Sequence, residues 1–129
     1  MIYLDTSVVL AELLSEDRKP PPEIWSATLL SSRLLEYETW VRLNSYSAAT
    51  THEEAARHLL AKVSYIELAP QVLERAMEPF PRPVRTLDAL HMSSLLFIRS
   101  LHLKIELAAY DERLRDLAAD MKIPLVPNL

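Results

Sequence analysis

With 129 residues, 50% of them hydrophobic, the chain can bury one core and is too short for two, and no apolar run reaches the ~18 residues of a membrane span. Its 14 basic and 18 acidic residues give a net charge of -4, which argues against coating nucleic acid through the overall field but allows a local basic path. Absence of cysteine excludes disulfides, thiolate metal sites and a cysteine nucleophile, while absence of glycine excludes the P-loop, the dinucleotide fingerprint and the nucleophile elbow.

Ile2 to Leu4 reads as a buried strand running straight into Asp5, with no basic region before it, so no signal peptide and a cytosolic protein are expected. Val8 to Leu14 (VVLAELL) predicts a short apolar helix capped by Thr6 or Ser7 and broken by SEDRKPPPE. Leu29 to Ser31 suits a second strand. Leu34 to Tyr46 then predicts a helix with Leu35, Tyr37, Trp40, Val41 and Leu43 along its apolar stripe. A further helix is expected from Thr51, whose hydroxyl and Glu54 form a capping box.

Tyr65 to Leu68 suits a third strand, leading through Pro70 into the helix QVLERAME. The run PFPRPVR must be loop. Thr86 is expected to cap LDALHMSSLLFIRS, which is apolar around most of its circumference and so deeply buried. Ile105 to Ala109 predicts a fourth strand, DERLRDLAAD a final amphipathic helix and IPLVP a last short strand. Strands alternating with helices imply the α/β class, with a parallel sheet of four to five strands covered on both faces and one domain over residues 1–129.

In such a sheet ligands sit beyond the carboxyl ends of the strands, and four acids fall there. Asp5 ends the first strand, Glu38 lies one turn into the helix after the second, Asp88 opens the buried helix, and Asp111 follows the fourth strand. Gathering like charges raises their pKa values, a cost that a divalent cation removes. Oxygen ligation suits Mg²⁺ or Mn²⁺, and such an ion activates water against a phosphodiester. Each acid also has a plainer role: Asp5 and Asp111 as helix caps, Asp88 as a partner of the helix dipole, Glu38 as an exposed helical glutamate. Their joint placement favours the metal.

His91 shares a helix face with Asp88 and offers an aspartate-histidine metal pair, although packing satisfies many buried histidines and is favoured here. Arg82 and Arg85, in PRPVR, are candidates for meeting substrate phosphates or for a solvated loop.

The segments MIYLDTSVVL, SSRLLEYETWVRL, VRTLDALHMSS and AAYDERLRDLA resemble, in order, the four acidic motifs of PIN-domain proteins, especially VapC-type toxins. The resemblance covers nearly the whole chain. It implies a three-layer α/β/α sandwich and a metal-dependent endoribonuclease acting on structured cellular RNA. It places the catalytic acids on Asp5, Glu38, Asp88 and Asp111, with Asp5, Asp88 and Asp111 as metal ligands and Thr6 supporting Asp5 by hydrogen bonding. Glu38, not Glu36, takes the second position, with Arg42 one turn on. The family often has a hydroxyl residue two places before the fourth acid, where this chain has Ala109.

The resemblance further implies a homodimer silenced by a small cognate antitoxin that presents an arginine to the acids. Trp25 and the first short helix are candidates for the groove that accepts it, with a core role for Trp25 as the alternative. Two other readings compete. An aspartyl phosphotransferase needs a second aspartate two positions after Asp5, where Ser7 stands, and a non-catalytic RNA- or protein-binding module would keep the fold without turnover.

Overall fold

The computed structural model describes residues 1–14 and 17–129. Four short strands, β1 (Ile2–Leu4), β2 (Leu29–Ser32), β3 (Val63–Ile66) and β4 (Glu106–Ala108), form one parallel sheet in the order β3-β2-β1-β4. Because strand side chains alternate, Leu4, Leu29, Val63 and Ala108 enter the core on one face and Tyr3, Leu30, Ile66 and Leu107 the core on the other. Helices α1 (Thr6–Leu14), α2 (Leu34–Ser45) and α3 (Ala49–Leu60) cover the first face. Helices α4 (Pro70–Ala76), α5 (Thr86–Ser100) and α6 (Glu112–Asp120) cover the second, completing a three-layer α/β/α sandwich.

The strand order contains a reversal that positions the site. From β1 the chain steps outward to β2 and β3, then returns to lay β4 against the opposite side of β1. Successive connections therefore leave β1 and β4 in opposite directions, opening a crevice at their carboxyl ends. The register pairs Leu4 with Ala108, and the Asp5 amide donates to the Ala108 carbonyl at 2.9 Å, so Asp5 emerges beside the chain leading to Asp111.

Several boundaries differ from the sequence expectation for local reasons. The third strand lies two residues earlier, at Val63–Ile66, where Ser64 pairs with Leu30. Helix α3 starts at Ala49, so Thr51 already sits inside it. Its hydroxyl donates back to the Ala48 carbonyl at 3.1 Å and no capping box forms. Thr86 is the first residue of α5 and makes no side-chain cap. The IPLVP segment forms a single parallel bridge, Leu107 to Leu125, rather than a full strand. The break assigned to SEDRKPPPE begins at Ser15 and Glu16, which lie outside the described residues.

On α2 the buried face is Leu35, Thr39 and Leu43, spaced one turn apart, while Tyr37 and Val41 are exposed. Thr39 is tolerated there because its hydroxyl donates to the Leu35 carbonyl at 2.7 Å. Helix α5 is likewise less uniformly buried than its composition suggests: Leu87 is exposed, and Leu90 and Phe97 are partly so. Trp25, in a 3₁₀ turn at Pro22–Ser26, packs partly buried against the first core.

Without glycine, the left-handed residue that closes a helix must carry a side chain. Ser47, His102 and Lys122 take this role after α2, α5 and α6, at φ of 54°, 62° and 58°. The amides of Ala48 and Ile123 then reach back to the Leu43 and Ala118 carbonyls, both at 2.8 Å. Among the described residues, no helix is long and apolar enough to cross a membrane.

Candidate metal centre

The crevice at the end of β1 and β4 is a cleft of about 590 Å³, and its lining includes Asp5, Glu38, Asp88 and Asp111. Four acids from four separate points of the sequence thus share one concavity. Glu36 points elsewhere, into an exposed ion pair with Arg33 at 2.9 Å, which distinguishes it from Glu38.

Each acid is fixed by a different element. Asp5 is 8% exposed, and its Oδ2 accepts the Ser7 hydroxyl at 2.5 Å and the Ser7 amide at 3.2 Å. Ser7 Oγ in turn accepts the Tyr110 amide at 2.9 Å, so one hydroxyl ties the β1 exit to the β4 exit. The support expected from Thr6 therefore comes from Ser7. Thr6 Oγ1 lies buried at the cleft with no hydrogen-bond partner among the described residues, because the first turn of α1 presents Ser7 to the carboxylate.

Asp111 is the N-cap of α6, where its Oδ1 accepts the amides of Arg113 at 2.9 Å and Leu114 at 3.3 Å. Glu38 Oε1 stands 2.5 Å from His91 Nε2. Asp88, in the first turn of α5, makes no hydrogen bond among the described residues. The capping role and the cleft position thus coexist: Asp5, Asp111 and Glu38 each commit one carboxylate oxygen to the protein and leave the other without a protein partner.

Electrostatics record the crowding. Burial holds the Asp5 carboxyl above the usual aspartate range, outweighing the field of His91 and the hydrogen bonds from Ser7. Asp88 is also pushed up, by burial first and then by the charges of Asp111 and Asp5. Both shifts oppose ionisation that a bound cation would favour.

Among the described residues, no three His, Asp or Glu side chains converge closely enough to hold an ion as they stand. Their anchors explain the spacing, since Ser7, His91 and the α6 amides each hold one carboxylate in its own place. The donor set nonetheless fits a hard divalent ion: the oxygens left over are carboxylate oxygens, the site concentrates negative charge, and an orphaned hydroxyl lies within it. Asp5, Asp88 and Asp111 are the residues that would hold it.

His91 is buried at 2% exposure with both ring nitrogens engaged, Nδ1 with the Tyr3 hydroxyl at 2.8 Å and Nε2 with Glu38. Of the two readings of this histidine, satisfaction within the packed interior is the one observed. Its partner is a cleft acid that lies 53 positions away in sequence, and no local spacing could have announced that pairing.

The arginines divide sharply. Arg85 lines the cleft together with Arg18 and Arg42, and none of these three makes an ion pair among the described residues. Arg82 instead binds Asp120 at 2.6 Å, lies 3.7 Å from Asp116 and stays outside the cleft. Arg18 lies against the Tyr110 ring, 5.1 Å from its centroid. Sequence reasoning missed Arg18, which stands outside the acidic motifs, and the grip of Ser7 on Asp5, because Ser7, although inside the first motif, reads from the sequence only as a helix cap. Ala109 is fully buried in the second core and does not line the cleft, so its lack of a hydroxyl leaves the cleft wall unchanged.

Ser7 is the test of this architecture. Ser7→Ala removes a donor to Asp5 and the acceptor of the Tyr110 amide, and should destabilise the protein by about 1–3 kcal/mol, measured by urea unfolding. Ser7→Thr, which keeps the hydroxyl, should recover part of that loss.

A family model described as PIN domain matches residues 2–120. No curated protein matches the chain.

Proposed function

Because the chain belongs to the PIN domain family, whose members are generally metal-dependent nucleases, we propose that it is a Mg²⁺- or Mn²⁺-dependent endoribonuclease that acts as the toxin of a toxin-antitoxin pair. The observation that carries this reading is the grouping of Asp5, Glu38, Asp88 and Asp111 in one cleft, with three of them anchored by a single oxygen. A bound divalent ion would supply Lewis-acid polarisation of the phosphodiester and of water. The chain's own residues prepare for this. Asp5, Asp88 and Asp111 would hold the ion, and Glu38, fixed through Oε1, keeps Oε2 as a proton acceptor or hydrogen-bond partner for the attacking water.

Substrate capture falls to the cleft arginines that make no ion pair among the described residues. Arg18, Arg42 and Arg85 surround the acids with charge that no carboxylate of the described residues neutralises at ion-pair distance, which suits a phosphate backbone approaching an otherwise acidic protein. Arg82 is committed to α6 and is the weaker candidate for this role. Structured cellular RNA is the proposed substrate and the cytoplasm the proposed location. A second copy of the chain and a small antitoxin are the proposed partners. An antitoxin arginine would neutralise the acids much as a metal does.

The deciding experiment incubates purified protein with total RNA in Mg²⁺ or Mn²⁺ and maps new 5′ ends. Internal cleavage that disappears with chelator and returns with either ion is the expected result. RNA bound but uncut at saturating metal would transfer the reading to a binding module, and cleavage indifferent to chelator would refute the metal mechanism.

A further inference from the structure

Behind Glu38 lies a hydrogen-bonded chain that runs from the sheet to the cleft. The Ser32 amide donates to the Tyr3 hydroxyl at 3.1 Å, that hydroxyl meets His91 Nδ1 at 2.8 Å, and His91 Nε2 meets Glu38 Oε1 at 2.5 Å. Tyr3 is fully buried, His91 is 2% exposed, and their rings meet edge to face at 5.9 Å between centroids. Four elements, β2, β1, α5 and α2, each contribute one member.

The direction of the hydrogens follows from the two ends. An ionised carboxylate accepts and never donates, so the hydrogen between Glu38 and His91 belongs to Nε2. At the other end the buried phenol carries a hydrogen of its own. The Ser32 amide occupies one lone pair of the phenol oxygen, and against a neutral ring whose hydrogen is on Nε2 the O–H donates to Nδ1. Burial of the imidazole is outweighed by the Glu38 hydrogen bond and the neighbouring carboxylates, which raise its pKa; once the ring is neutral, both ends select the same tautomer, with the hydrogen on Nε2. With both nitrogens spent, His91 has no lone pair to offer a cation.

We propose that His91 is a positioning residue, which takes its tautomer from Tyr3 and uses Nε2–H to lock Glu38 with its other oxygen turned to the cleft. The proposal rests on the nuclease reading for its kinetic consequence but not for its geometry. A glutamate on a surface helix otherwise samples several rotamers, and a clamp on one oxygen removes that freedom before substrate arrives. Metal sites use the same device when an outer partner orients a carboxylate or an imidazole. His91 touches neither substrate nor metal in this scheme.

Nitrogen-15 imidazole spectra of the metal-free protein at alkaline pH test the geometry directly, with His91 assigned by its absence from His91→Gln. The expected pattern is a single Nε2–H tautomer that becomes mixed in Tyr3→Phe. A dominant Nδ1–H tautomer would overturn the proposal. Kinetics test the consequence: His91→Asn, which can reach Tyr3 but not Glu38, should cut RNA cleavage by about 10–100-fold when assayed at a temperature where it is fully folded. His91→Gln, whose amide nitrogen reaches the position of Nε2, should restore most of it. Equal loss in the two variants would sink the positioning role. If the wild-type protein cleaves no RNA, the nuclease reading fails alone, and the spectra still decide whether the relay exists.

Discussion

Asp5→Asn is expected to lower RNA cleavage by at least about 10³-fold, the scale on which a charge aimed at the reacting centre is felt, while the protein stays folded. The substitution is nearly isosteric. An asparagine oxygen can still accept the Ser7 hydroxyl and amide that now bind Oδ2, so the link from β1 to Tyr110 survives. What disappears is a buried negative charge, and burial already holds this carboxyl above its ordinary range. Removing a poorly solvated charge while keeping its hydrogen bonds should leave stability unchanged or raise it by about 1 kcal/mol. Initial cleavage rates and urea melts on the same preparation check both halves. Cleavage within tenfold of the parent chain would refute the role of Asp5. A collapse in stability would mean that its contribution is structural.

Adding Mn²⁺ to the metal-free protein should raise its melting temperature by several degrees, since an ion at about a hundred times its dissociation constant stabilises the folded state by about 2.7 kcal/mol. The gain should depend on pH in a definite direction. Asp5 and Asp88 both have folded pKa values raised above the ordinary 3.8, chiefly by burial, with neighbouring charge adding to Asp88. For a raised carboxyl the folded state binds more protons than the unfolded state. The stability it contributes is therefore present below the unfolded pKa and lost as pH rises through the folded pKa. Glu67 and Asp120, lowered by Arg33 and Arg82, act in the opposite sense, losing stability as pH falls, but both are surface pairs whose effect solvent weakens. The metal-free protein should thus lose cleft stability as pH rises above the ordinary aspartate range. Mn²⁺ should restore it most where the acids are ionised. A melting temperature flat across saturating metal at neutral pH would count against a cation site.

The fold was largely legible because parallel strands buried on both faces must be short and apolar, and IYL, LLS and ELA have no other comfortable use. Boundaries were less so. Thr51 carries a good capping signature, yet α3 starts two residues earlier at Ala49, where the close of α2 at Ser47 already points the chain. Tyr37 and Val41 look apolar enough for a core, but α2 sits with Leu35, Thr39 and Leu43 inward, a choice made by tertiary packing that no local pattern records.

For the site, position at strand ends was the readable part, because topology alone carries Asp5 and Asp111 to the same rim. Orientation was not. That Ser7 rather than Thr6 grips Asp5 depends on how the first turn of α1 leaves the strand. That Arg82 turns to Asp120 while Arg85 faces the acids depends on the path of a proline-rich loop whose sequence treats the two alike.

The glycine-free helix ends leave the molecule with latitude elsewhere. Ser47, His102 and Lys122 are exposed, stand outside the cleft lining, and each holds a conformation that a Cβ disfavours by about 1–2 kcal/mol. The chain thus carries a small strain at these helix ends, away from the acidic cleft. Resistance to heat can therefore be adjusted at these points, by evolution or by an engineer, without touching the acidic cleft.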